Sequence, residues 1–246
     1  MTDQMIAPKK TKKASKKKQP TNARIFFILD RSGSMMSIKN DTIGGFNSFL
    51  AEQKKLPGKA TFSLVQFDDR YEVHHNNVPI NEVPELSEFT FVPRGGTALY
   101  DAVGITISRF KNDNPKDTKT IVAILTDGQE NSSKEYNYAN LQSLIKEVEG
   151  EHGWEVLFVG ANMDAKSVAI NMGIQAKNAV TFDYSAHGTA SAMSTLSFAA
   201  SATRGMNYAY ADGTTLSAEN LDMSKLYTAT ATAAAPTQPS PKPDQK

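Results

Sequence analysis

The chain has no cysteine among its 246 residues, which removes disulfide scaffolds, thiolate metal sites and cysteine nucleophiles together. That absence suits a reducing compartment, and a cytoplasmic location is the expectation. No stretch approaches the ~20 consecutive apolar residues of a membrane-spanning helix, so no membrane partner is expected. The amino terminus is basic but lacks the apolar segment of a secretory signal peptide. Catalytic signatures are missing too: there is no G-x-x-x-x-G-K-[ST] phosphate loop and no G-x-S-x-G nucleophile turn. Of the four histidines, His74 and His75 are adjacent on an extended run and point to opposite faces. His152 and His187 are isolated, so no histidine sits in a catalytic or metal-binding pattern.

What is present is an ordinary globular composition, 39% apolar, with an uneven charge distribution. Residues 1–24 hold seven lysines and one arginine against one aspartate, so they carry +7 and leave −6 for the remainder of a chain with net charge +1. Residues 1–23 have too few apolar side chains to fold and read as a basic, disordered tail. Such a tail can touch nucleic acid through counterion release, although no aromatic interleaves the lysines and a solubilising role is the simpler reading. Residues 24–205 read as one domain, and residues 206–246, rich in Ala, Thr and Pro, as a flexible carboxy-terminal tail.

Within that domain, apolar runs alternate with amphipathic segments. Ile25 to Leu29, Ile121 to Leu125, Val156 to Val159 and Ala179 to Phe182 read as strands buried on both faces. Ala60 to Phe67 and Tyr71 to Val78, joined at Asp68-Asp69, read as a hairpin with an antiparallel edge strand. Helices are expected from an Asp41 cap through Leu50, after Gly95-Gly96-Thr97, around Leu141 to Val148, over Ala165 to Met172, and from Ser185 to Arg204. The expected fold class is α/β: a Rossmann-like, doubly wound, mostly parallel sheet with one antiparallel edge strand and helices on both faces. Such sheets bind ligands outside the carboxyl ends of their strands, where strand order reverses.

Three motifs fall at such ends: RIFFILDRSGSM at Arg24 to Met35, GGT at Gly95 to Thr97, and ILTDG at Ile124 to Gly128. They supply Asp30, Ser32, Ser34, Thr97 and Asp127, an oxygen-only set suited to a hard divalent cation such as Mg²⁺. Thr97 also reads as an ordinary helix cap, and Glu130, Asn131, Ser132 and Ser133 as capping residues. Arg31 and Met35 are expected on the rim of the site, and Asp68 or Asp69 in a turn. Asn162 and Asp164 are expected to open a helix.

The DxSxS run, the later threonine and the later aspartate resemble the metal-ion-dependent adhesion site of von Willebrand factor A (vWA) domains. GGTALYDAV, LTDGQENSS and WEVLFVGANMDAKSVAINMGI are similar to the bacterial and phage branch of that family, over roughly Arg24 to Arg204. The resemblance implies that Ser32, Ser34 and Thr97 hold the cation directly while Asp30 and Asp127 act through water. It implies Mg²⁺, with Mn²⁺ or Ca²⁺ as alternatives, and a non-enzymatic module whose cation bridges to an Asp or Glu of a protein partner. Family members in bacteria frequently work beside AAA ATPases or in stress-response assemblies, and a structural component of a phage or such an assembly is one alternative. The other is a Mg²⁺-dependent phosphoryl hydrolase. Hydrolases of the haloacid dehalogenase type need a second carboxylate two residues after the nucleophile, where this chain has Ser32.

Overall fold

The structure, a computed structural model, describes residues 22–113, 115, 117–209 and 215–233. The apolar run after Arg24 forms β1 (Asn22–Asp30), buried from Ala23 onward. Side chains alternate across a strand, so one run feeds two cores. Ile25, Phe27 and Leu29 face the layer that contains α1 (Lys39–Lys55), and the Phe27 ring meets Phe46 and Phe49 edge-on, both at 5.2 Å. Phe26 and Ile28 face the opposite layer, where α2 (Leu99–Phe110) contributes Leu99, Val103 and Ile107.

The remaining strands are β2 (Ala60–Phe67), β3 (Tyr71–Pro79), β4 (Thr118–Thr126), β5 (Glu155–Ala161) and β6 (Ala179–Phe182). They form one six-stranded sheet in the order β3-β2-β1-β4-β5-β6. Every neighbouring pair is parallel except β2 and β3. Helices α3 (Tyr138–Gly150) and α4 (Ala165–Met172) cover one face with α2, and α5 (Ala186–Thr203) covers the other with α1. The doubly wound, mostly parallel α/β sheet with an antiparallel edge is therefore the observed architecture. The chain winds outward from β1 through β2 and from β4 through β6, so strand order reverses between β1 and β4. The crevice that such a reversal opens lies at the carboxyl ends of these two strands.

Two expectations are corrected. Between β1 and α1 a 3-10 turn (Gly33–Ile38) carries Met35 and Ile38 into the core, and α1 starts at Lys39. Asp41 thus lies inside the first helical turn, where a negative charge favours the positive end of the helix dipole, and caps nothing. The chain is also structured beyond residue 205, where a flexible tail was expected. A short antiparallel pair, β7 (Tyr208–Ala209) and β8 (Thr215–Leu216), precedes α6 (Met223–Ala233). Asp222 starts α6 by accepting the amides of Ser224 and Lys225 at 3.0 and 3.2 Å. Leu216, Leu221, Met223 and Leu226 are buried in the core on the α1 and α5 side. Only Met223 and Leu226 of these lie in α6, set in an Ala/Thr background whose composition mimics a linker. The expected tails at 1–21 and 234–246 lie outside the described residues. Among the described residues, no helix is long and apolar enough to cross a membrane.

Candidate functional site

Asp30 is the last residue of β1 and is fully buried. One carboxylate oxygen, Oδ1, accepts the Ser32 amide at 2.6 Å, and Oδ2 accepts the Thr126 hydroxyl at 2.5 Å. Thr126 ends the neighbouring β4, and its oxygen in turn accepts the Gly128 amide at 3.1 Å. The DxS turn is therefore folded back on its own carboxylate, and the adjacent strand fixes that carboxylate's rotation.

From there a line of oxygens leads across the crevice. Ser32 Oγ and Ser34 Oγ are 3.0 Å apart, and Ser34 Oγ donates to Asp127 Oδ1 at 2.6 Å. A hydroxyl has one proton, so Ser34 spends its own on Asp127 and receives that of Ser32. Asp127 Oδ2 is 2.8 Å from the hydroxyl of Tyr184, a residue of the turn between β6 and α5. Tyr184 also contacts the Ser34 carbonyl oxygen, and Ser37 Oγ donates to it at 2.6 Å.

Thr97 arrives from a third segment. The Arg94 and Gly33 amides donate to Arg31 O at 2.8 Å and Gly95 O at 3.2 Å, which lays residues 94–97 along the DxSxS loop. Gly95 has φ +67° and its Cα faces Asp69, so a side chain would be both strained and obstructed there. Gly128 lets Thr97 approach the residue after Asp127: a Cβ at Gly128 would sit 2.5 Å from Thr97 Oγ1. The Thr97 amide donates to Asn131 Oδ1 at 2.9 Å, and its carbonyl accepts the Asn131 and Ser132 amides.

The residues after Asp127 cap a helix, but a helix distant in sequence. Glu130 Oε2 accepts the Tyr100 amide at 2.9 Å and Ser133 Oγ the Asp101 amide at 3.0 Å, both at the amino end of α2. Asp101 reciprocates by accepting the amides of Lys134, Glu135 and Tyr136 at 2.7, 2.9 and 2.7 Å. Asp164 caps α4 through the Ser167 amide, and Asn162 adopts a left-handed φ of 48° just before it.

Arg31 and Met35 are corrected: neither lines a rim. Met35 is in the core, and Arg31, 4% exposed, points away from the serines. It donates through Nε to Asp68 at 3.0 Å and through NH1 to Glu72 at 2.9 Å. Arg94 reaches the same two carboxylates at 2.8 and 2.7 Å. Burial alone would push the Asp68 carboxyl up, but the hydrogen bond from Arg94 and the charge of Arg31 hold it below its ordinary value. The turn residue of the sequence reading is thus the centre of a four-residue ion network.

The electrostatics of Asp30 and Asp127 have the opposite sign. Burial pushes Asp30 up to about 6, against the hydrogen bonds of Thr126 and Ser32, and burial also raises Asp127. Among the described residues no lysine, arginine or histidine forms an ion pair with either, because the nearby arginines are engaged by Asp68 and Glu72. No cluster of three His, Cys, Asp or Glu side chains suited to a metal occurs among the described residues. The two carboxylates are linked by neutral hydroxyls instead.

Thr126 and Tyr184 were not singled out in the sequence. Thr126 had a local signal, since it precedes Asp127 at a strand end. Tyr184 is 57 positions from Asp127 and reaches it only through the topology.

No protein-family profile and no curated protein matches this chain. Solved structures do. The proximal thread matrix protein 1 of the mussel byssus, in a form described with a zinc-occupied MIDAS motif, is 19% identical with a TM-score of 0.53 over 72% of this chain. This chain spans only 45% of that protein. The vWF domain of the type V pili tip protein Mfa5 from Porphyromonas gingivalis matches at 9% identity and TM-score 0.52, covering 73% of this chain and 95% of that domain. The SpRpn10 VWA domain matches at 12% identity and TM-score 0.52, covering 72% and 95%. These likenesses show the fold, which is that of vWA domains.

Proposed function

We propose that the crevice between β1 and β4 is a divalent-cation site through which the domain binds an acidic group of a protein partner. The observation that carries this reading is the pair of desolvated carboxylates, Asp30 and Asp127, without a basic partner among the described residues, beside an ion network in which Arg31 and Arg94 are taken up by Asp68 and Glu72. Buried charge of one sign is costly unless paired, and a cation supplies the missing sign. The donor set fits a hard ion: two carboxylates and the hydroxyls of Ser32, Ser34 and Thr97, with no nitrogen or sulfur. Mg²⁺ suits such a set, and Mn²⁺ can replace it; a zinc-occupied motif in the mussel protein supports divalent binding in this fold. When bound, the ion offers an electrophilic position to an incoming Asp or Glu.

This chain's residues prepare that position. Thr126 and the Ser32 amide fix Asp30, Asn131 holds Thr97 through its amide, and Asp68 with Glu72 keeps Arg31 from neutralising the site. Binding is favoured over phosphoryl transfer because both oxygens of Asp30 already accept hydrogen bonds, which leaves a poor nucleophile.

The test is calorimetric titration of the full chain with Mg²⁺. Asp30→Ala and Thr97→Ala should each weaken binding by about tenfold or more, as loss of a ligand or its support does. Both lie at loop or strand ends, so each variant should keep the wild-type circular dichroism. Wild-type affinity in both variants would rule out the site.

A further inference from the structure

We propose that Tyr184 sets the cation preference of this site, favouring Mg²⁺ over Ca²⁺ by occupying one of the two Asp127 oxygens. The inference rests on the reading above and concerns a residue that the DxSxS, threonine and aspartate motifs do not include.

The phenol stands among three oxygens. Ser37 Oγ donates to it at 2.6 Å, so its own single proton is shared between Asp127 Oδ2 at 2.8 Å and the Ser34 carbonyl, which it also contacts. The ring is half-buried against the layer of α1 and α5, so the hydroxyl is placed by packing. The result is a divided carboxylate. Asp127 Oδ1 faces the serine hydroxyls through Ser34 at 2.6 Å, and Oδ2 is covered by the Tyr184 hydroxyl on the other side.

A divided carboxylate discriminates between cations. Ca²⁺ takes about 6–8 oxygens and commonly uses both oxygens of one carboxylate, whereas Mg²⁺ takes six at shorter distance and accepts single oxygens and water. With Oδ2 covered by Tyr184, Asp127 can offer a single oxygen, directly or through water, and the Ca²⁺ shell is left short. The same tether joins the DxSxS loop, the β4 end and the β6–α5 turn.

The experiment titrates the full chain with Mg²⁺ and separately with Ca²⁺, comparing wild type, Tyr184→Phe, Ser37→Ala and Asp30→Ala. Tyr184→Phe keeps the ring and should keep the fold. Its Mg²⁺ affinity should stay within about threefold while its preference for Mg²⁺ over Ca²⁺ falls about tenfold, the scale of one hydrogen bond to a charged group. Ser37→Ala, which loosens the phenol without removing it, should shift the preference in the same direction by about threefold. A merely structural tyrosine would change both affinities alike, and that result would overturn the proposal. So would an unchanged preference in Tyr184→Phe while Asp30→Ala abolishes Mg²⁺ binding. Wild-type Mg²⁺ binding by Asp30→Ala would instead remove the site reading on which the proposal stands.

Discussion

Arg24 and Asp30 lie near the two ends of the same strand, both buried, both charged, and treated in opposite ways. Arg24 is supplied with partners. Its guanidinium donates to the Asp113 backbone carbonyl, to Asp113 Oδ2 at 3.2 Å and to Thr120 Oγ1 at 3.3 Å. It also lies over the Phe26 and Trp154 rings at 5.1 and 5.3 Å. Asp30 receives an amide and a hydroxyl but no opposite charge. The arginine is used for packing, the aspartate is held in an unfavourable state, and burying charge without its opposite makes sense where an ion is to be received.

The largest way to test this contrast is Arg24→Ala. It strips the aliphatic stem and planar head from their place over two stacked aromatic rings and should lower unfolding free energy by about 2–3 kcal/mol, measured in urea. The ion pair itself contributes little to that loss, because Asp113 is 73% exposed. Mg²⁺ affinity should not change, and a change would mean that the two ends are not independent.

Asp30→Asn should act with the opposite sign. A carboxyl whose folded pKa is raised to about 6 favours folding below its unfolded pKa, and that favour is lost as pH rises through about 6. Removing the charge should therefore stabilise the metal-free protein at pH 8 by on the order of 1–2 kcal/mol. The gain should shrink as the medium is acidified past 6 and the wild-type carboxyl takes up its proton. A thermal melt in EDTA across that range reads the effect directly. A destabilised variant at every pH would show that Asp30 is a structural residue like Arg24.

The smallest effect sharpens the comparison at the amino end of the sheet. Burial pushes the Glu149 carboxyl up to about 7, with the Glu155 charge adding to it. By the same sign, Glu149→Gln should stabilise above pH 7 and not below, by about 0.5–1 kcal/mol after allowance for solvent. It should leave Mg²⁺ affinity untouched, which separates a raised acid with no site around it from one that has a site.

Much of the framework was legible because period and length agree. Ala60–Phe67, Ala165–Met172 and Ala179–Phe182 match their expected spans, since each apolar run stops at a turn residue or glycine. The 3-10 turn before α1 was not legible, because Ser, Gly and Met carry no periodic signal over six residues. Helix α6 was hidden by composition, since three or four apolar positions suffice to cover the edge of a core already closed by α5. In the crevice, the serines and aspartates announced themselves by spacing, and the structure strings Asp30, Ser32, Ser34 and Asp127 together. Arg31 was misplaced because nothing local shows that Asp68 and Glu72, some forty positions away, draw it off. Tyr184 had no local signal at all.

The reciprocal capping of α2 has a consequence for how the crevice moves. Glu130 and Ser133 hold the amides of Tyr100 and Asp101, and Asp101 holds three amides of the opposing loop, so neither segment can loosen while the other stays shut. Residues 97–101 and 130–136 are thereby tied to each other, with Thr97 inside the tied pair of segments and Asp127 just before it. The spacing between those two side chains therefore depends on bonds made by residues that touch neither of them.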